Sequence, residues 1–165
     1  MDHHIMDKYR VSAAEIQAFE GISKTHFLNS GAKRVNKSLG DLTGLTQIGF
    51  HVVEVQPGDE STEMHRHYHE EECVYILSGT AQAFIDDEVL EVGPGDFLGY
   101  RAGGASHKLR NSGNEVLRCI VVGQRLDHDV ADYTLKKKRL FRNQDLPWSL
   151  TDLDSLEHPN AGQKR

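Results

Sequence analysis

The sequence predicts an all-β protein, and three observations carry that reading. Short runs rich in β-branched and aromatic residues recur from residue 47 to residue 122. Turn residues punctuate them at close, regular spacing, as Pro57-Gly58, Ser78-Gly79, Asp86-Asp87 and Gly93-Pro94-Gly95-Asp96. Only one stretch, near the N-terminus, carries helical punctuation. Short strands joined by Gly-rich turns fit an antiparallel sandwich or a closed barrel. Periodicity alone says no more than all-β.

Taken in order, residues 1–10 read as a loose tail that includes His3-His4. Ser12 followed three residues later by Glu15 is a capping-box pattern. It opens a short helix over about residues 13–19, and Gly21 is placed to stop it. Residues 25–29 suit an edge strand, and 33–46 a short strand with loops. Residues 47–55 form a clear strand that ends at Pro57-Gly58. Further strands are expected at 73–77, 80–85, 89–92, 97–100, 108–110 and 116–122. In 80–85, Ala81, Ala83 and Ile85 alternate with Thr80, Gln82 and Phe84, the period of a half-buried strand. After Gly123 the composition turns polar, then basic at Lys136-Lys137-Lys138-Arg139. Leu140, Phe141 and Trp148 are expected to pack this extension against the body of the fold or a partner subunit. Residues 152–165 read as a frayed end. The organisation predicted is a tail, helix and edge strands over 1–44, a β-domain over 45–123 and an extension over 124–165.

The chain of 165 residues can bury one real core but not two comfortable ones. A formal net charge of -6 argues against a nucleic-acid-coating surface. A helix of two turns is too little for a helix-turn-helix reader. No apolar run approaches the roughly 20 residues of a membrane span, and no N-terminal stretch suits a signal peptide. A cytoplasmic protein that binds neither nucleic acid nor membrane is the expectation. With that compartment, Cys73 and Cys119 read as free thiols in apolar runs. No Walker loop, dinucleotide glycine pattern or nucleophile elbow is present.

The chemistry concentrates between residues 65 and 72, where His65, His67, His69, Glu70, Glu71 and Glu72 crowd together. Imidazole with carboxylate is the ligand set of a divalent transition ion such as zinc, manganese, iron or nickel. Histidines spaced i, i+2 on a strand share a face, so His65 with His67, or His67 with His69, can converge on one ion. His107, in the Gly-rich segment after Gly95, is the best candidate for a further ligand. Glu72 ranks first among the carboxylates, Glu71 second, with Glu70 and His69 as rivals if the strand bulges.

With both stretches in view the sequence resembles the cupin superfamily. The first family motif is matched by Gly58, His65, His67, Glu72 and Gly79, with one extra residue between Gly58 and His65. The second is matched by Gly95, Gly103, His107 and Asn111, with Arg101 in place of a proline and one extra residue before His107. The resemblance covers roughly residues 45–123. It implies a jelly-roll barrel, with the short N-terminal helix and the C-terminal extension attached. It also implies one metal ion held by His65, His67, Glu72 and His107, and a homodimer. Small cupins of this appearance are likened to sugar-phosphate isomerases, so a small polar metabolite is the expected substrate. A metal-dependent dioxygenase and a non-catalytic binding or sensing module are the rival readings. His69 and Glu71 are the candidate catalytic groups, and Tyr75, Tyr100 and Arg101 the candidate ligand-binding residues. His51, mid-strand beside Val53 and Val55, reads as a core or rim histidine.

Overall fold

The computed structural model describes residues 8–160 and 162. The His3-His4 pair lies outside the described residues. The helix α1 (Ala13–Ala18) opens with the predicted capping box: Ser12 Oγ accepts from the Glu15 N–H, and Glu15 accepts from the Ser12 N–H at 2.7 Å. Its docking is polar, through Lys37 Nζ donating to the Ile16 carbonyl at 3.3 Å.

Two strands precede the predicted β-domain, β1 (Ile22–His26) and β2 (Asn29–Ser38), followed by a one-turn helix α2 (Leu39–Leu42). The sequence reading made β2 too short and missed α2. Then come β3 (Ile48–Val55), β4 (Arg66–His67), β5 (Glu72–Ser78), β6 (Ala81–Ile85), β7 (Glu88–Val92), β8 (Phe97–Tyr100), β9 (His107–Asn111) and β10 (Leu117–Gln124). The extension contributes β11 (His128–Tyr133), β12 (Lys138–Asn143) and β13 (Ser149–Asp152).

These make a six-stranded sheet ordered β1-β2-β3-β10-β5-β8, a four-stranded sheet β13-β12-β11-β4 and a three-stranded sheet β7-β6-β9. All pairings between these strands are antiparallel. The ladders do not close into one continuous barrel. The jelly-roll interior is made by packing instead: Val53, Val55, Ile76, Leu117 and Cys119 of the large sheet bury against Ala81, Ala83 and Leu109 of the small one. A second cluster, Ala131, Tyr133 and Leu140 with Leu28, seats the extension. Leu140 therefore packs as expected. Trp148 does not bury itself against the body of the fold, being 63% exposed with the Arg142 guanidinium 5.6 Å from its ring.

Two motif residues have structural reasons. Gly79 sits at φ 83°, and a Cβ there would meet the Leu117 backbone at 2.9 Å, so no other residue fits the turn. Asn111 is buried and donates to the carbonyls of Val55 and Glu115, both at 2.8 Å, while accepting from the Gly113 N–H. It pins the β9–β10 turn onto β3. Both cysteines are free, and burial pushes the Cys119 thiol up to about 12.

Candidate metal centre

Strand alternation builds the site. On β5, Glu72, Val74 and Ile76 face inward, and Glu72 is registered between Gly123 of β10 and Tyr100 of β8. An isolated bridge pairs His65 with His107, joining the segment before β4 to the start of β9. The result brings ligand atoms of His65, Glu72 and His107 within 4.8 Å of one another. Both histidines commit Nδ1–H to a backbone carbonyl, His65 to Glu63 at 2.9 Å and His107 to Ala105 at 3.3 Å. That tautomer leaves each Nε2 as a lone-pair donor. His107 Nε2 is buried, 3.5 Å from Glu72 Oε1, and makes no hydrogen bond. A buried orphan acceptor facing a carboxylate is costly unless something cationic sits between them. The donor set fits a divalent transition ion.

Protonation favours the same state. Burial, and then the neighbouring His107, push His65 down to about 3, so it stays neutral. Burial would raise Glu72, but the facing imidazoles, His107 first, lower it, so it stays a carboxylate. Tyr100 stacks on the His107 ring at 3.5 Å between centroids and 4° between planes, fixing its plane. The Tyr100 hydroxyl is buried without a partner, and burial raises its pKa.

His67 stands beside this cluster, its ring 5.0 Å from that of His65. Its Nδ1 donates to Asp129 Oδ2 at 2.6 Å. Asp129, fully buried on β11, also accepts from the backbone N–H groups of His69 (3.1 Å) and Glu70 (3.3 Å) and from Arg142 (3.3 Å). A carboxylate behind an imidazole is the arrangement that orients a metal-ligating histidine. Burial would lower His67, but the Asp129 contact and the charges of Glu72 and Glu70 raise it overall. His67, Glu70 and Asp129 thus form a second cluster sharing one wall with the first.

His65, Glu72 and His107, together with His67 and Glu70, line a cavity of 440 Å³ whose wall also includes Arg34, His51, Tyr133 and Arg142. That volume suits a small metabolite.

Comparison with known proteins agrees with this geometry. A family model described as "Cupin domain" matches residues 51–123. The crystal structure of a provisionally named sugar phosphate isomerase from Acidithiobacillus ferrooxidans is 46% identical, covering 92% of this chain and 96% of that one, with a TM-score of 0.88. The chain belongs to the cupin superfamily. A cupin-superfamily sugar phosphate isomerase from Silicibacter pomeroyi superposes with a TM-score of 0.75 at 25% identity, over 85% of this chain and 91% of that one. An uncharacterized protein of Methanocaldococcus jannaschii is 36% identical over 66 residues, 40% of this chain and 52% of that protein, so the chain matches about half the length of this curated relative.

Among the residues the sequence nominated in this cupin, His65, Glu72 and His107 converge, and His67 adjoins them. Tyr100 lines the cavity. Tyr75 does not, because it alternates with Val74 and Ile76 and lies 44% exposed on the outer face of β5. Arg101 is exposed and borders a separate depression. Its segment serves as a turn, in which the Gly103 N–H donates to the His67 carbonyl at 2.8 Å. His69 is exposed and absent from the cavity wall. The three consecutive acids separate. Glu70 is buried and held by Arg142 and the Leu126 N–H. Glu71 stands exposed at the rim with no side-chain partner among the described residues, and Glu72 faces the imidazoles. The sequence reading missed Asp129, Arg142 and Arg34. No helix among the described residues is long and apolar enough to cross a membrane.

Proposed function

We propose that this cupin is a metal-dependent isomerase of a small polar metabolite, of the sugar-phosphate type. The observation that carries the reading is the His65–Glu72–His107 ligand set at the wall of a metabolite-sized cavity, in a chain 46% identical to a provisionally named sugar phosphate isomerase along nearly its whole length. His65, Glu72 and His107, with His67 beside them, would hold a divalent ion, which would supply Lewis-acid chemistry to a bound substrate.

The chain's own residues do the rest. Asp129 holds the His67 tautomer, and Tyr100 holds the His107 ring. Glu71 is the free carboxylate at the rim and serves as the base that moves a proton between adjacent carbons. Glu70 is unavailable for that role, because Arg142 and the Leu126 N–H hold it.

The test is a panel of aldose and ketose phosphates incubated with metal-loaded protein in deuterium oxide. Interconversion with deuterium entering beside the carbonyl is expected. No interconversion and no exchange across the panel overturns the reading. A dioxygenase is the second reading, favoured by one observation: two histidines and one carboxylate are also the facial ligand set of non-haem iron oxygenases. Substrate-dependent oxygen uptake by the iron-loaded protein would select it.

A further inference from the structure

Five cations line the cavity: Lys24, Arg34, Lys108, Arg125 and Arg142. Three already face carboxylates. Lys108 Nζ lies 2.6 Å from Glu60, Arg125 Nη1 2.6 Å from Asp41, and Arg142 pairs with Glu70 and with Asp129. Among the described residues, Lys24 and Arg34 have no carboxylate within 4.0 Å. Among the described residues, Arg34 Nη1 donates to the Ser61 carbonyl at 3.0 Å as its one side-chain hydrogen bond, and Lys24 Nζ makes none.

The two are also direct cross-strand partners, Lys24 on β1 opposite Arg34 on β2. Like charges set opposite each other weaken a sheet. The repulsion registers on Lys24, whereas Arg34 responds to its burial. Burial lowers the Arg34 pKa, and burial followed by the Arg34 charge lowers that of Lys24. Glu72 partly supports Arg34 across the cavity. A guanidinium and an ammonium side by side on a cavity wall, unpaired among the described residues, suit an anion. Two formal charges match a dianion better than a monoanionic carboxylate, and the guanidinium fork grips phosphate oxygens in pairs.

We propose that Lys24 and Arg34 form an anion subsite that holds the dianionic phosphate monoester of the substrate in the same cavity as the His65–Glu72–His107 cluster. The inference rests on the isomerase reading for the rest of the substrate, and on the cavity alone for the anion. The subsite lies in residues before the family match and owes nothing to Arg101.

The experiment is calorimetric titration of inorganic phosphate, at low ionic strength, into metal-loaded full-length protein and its Lys24→Gln, Arg34→Gln and Arg101→Gln variants. Wild type binds phosphate, Lys24→Gln weakens it about tenfold, Arg34→Gln weakens it at least as much, and Arg101→Gln stays within about twofold. Acetate binds wild type far more weakly than phosphate. Thermal melts give a second readout. Lys24→Gln, on an exposed strand, melts higher than wild type without phosphate, because a repulsion is gone, and loses the phosphate-induced rise. Absence of phosphate binding by wild type, unchanged binding in both Lys24→Gln and Arg34→Gln, or acetate binding equal to phosphate overturns the proposal. Phosphate binding is read without turnover. A wild type that binds phosphate through these residues yet isomerises nothing keeps the subsite and removes only the isomerase reading.

Discussion

Replacing Asp129 by asparagine tests how the site is held together. The carboxylate is fully buried and accepts four hydrogen bonds, two from backbone N–H groups on Oδ1 and two from His67 and Arg142 on Oδ2. An asparagine can keep its oxygen on the two backbone donors. Its amide NH₂ then meets the His67 Nδ1–H, donor against donor. His67 is driven to the opposite tautomer, which puts its proton on the nitrogen a metal needs. Loss of an outer carboxylate of this kind typically costs 10- to 100-fold in metal affinity. Losing hydrogen bonds to a buried charge costs about 1.5–3 kcal/mol of stability. The pH dependence has a definite sign. His67 has a raised pKa, so in wild type a proton competes with the metal up to a pH above the ordinary value of 6.5. Metal affinity therefore falls as pH drops through that raised value. In Asp129→Asn the fall moves to lower pH, since the carboxylate that favoured the imidazolium is gone. Competition against a chromophoric chelator from pH 5.5 to 8.5 reads both effects. Wild-type affinity and an unshifted pH profile in the variant would refute the orientation of His67 by Asp129.

Other outcomes follow from the same geometry. Glu71→Gln should lower turnover by about 10²- to 10⁴-fold with metal content unchanged, and metal loss instead would make Glu71 a ligand. Asp132 is buried and accepts from Arg139 Nε (2.7 Å), Arg139 Nη2 (2.9 Å) and Tyr68 (2.7 Å), so Asp132→Asn should cost about 3 kcal/mol by denaturant melt while leaving metal affinity intact. Burial alone would raise Asp132, but Arg139 and Tyr68 set its folded pKa below the usual 3.8. Its contribution is thus present above pH 3.8 and lost as pH falls through the lower folded value, and the variant should lose less stability than wild type over that acid range. Exposed Ile22, Phe27 and Phe97 favour the homodimer, which light scattering should find; a monomer at micromolar concentration would remove it.

Much of the fold was legible because its strands obey simple alternation. Ala81 and Ala83 alternate with Thr80, Gln82 and Phe84, and both alanines are fully buried, while Ser12 with Glu15 announced the helix. The candidate metal cluster was legible because its local spacing, His-x-His and then Glu72 ahead of Gly79, is set by strands and tight turns. What stayed hidden lies on strands whose composition resembles loops. The segment β11 carries Asp129 and Asp132, and aspartate is depleted in strands. The strand β2 mixes Asn, Ser, Gly and Lys. Asp129 reaches His67 across 62 residues of sequence, and no local pattern announces such a contact. Only the β1–β2 register places Lys24 and Arg34 opposite each other. Tyr75 was nominated by residue type, but its neighbours Val74 and Ile76 own the inward face.

The central claim is that His65, Glu72 and His107 hold a divalent ion, and metal analysis tests it most directly. Protein would be purified without added ions or a histidine tag, as wild type and as the His65→Ala/His107→Ala double variant. The account predicts near-stoichiometric transition metal in wild type and its loss in a double variant that still folds. Wild type that carries none and takes up no zinc, manganese, iron or nickel would contradict it.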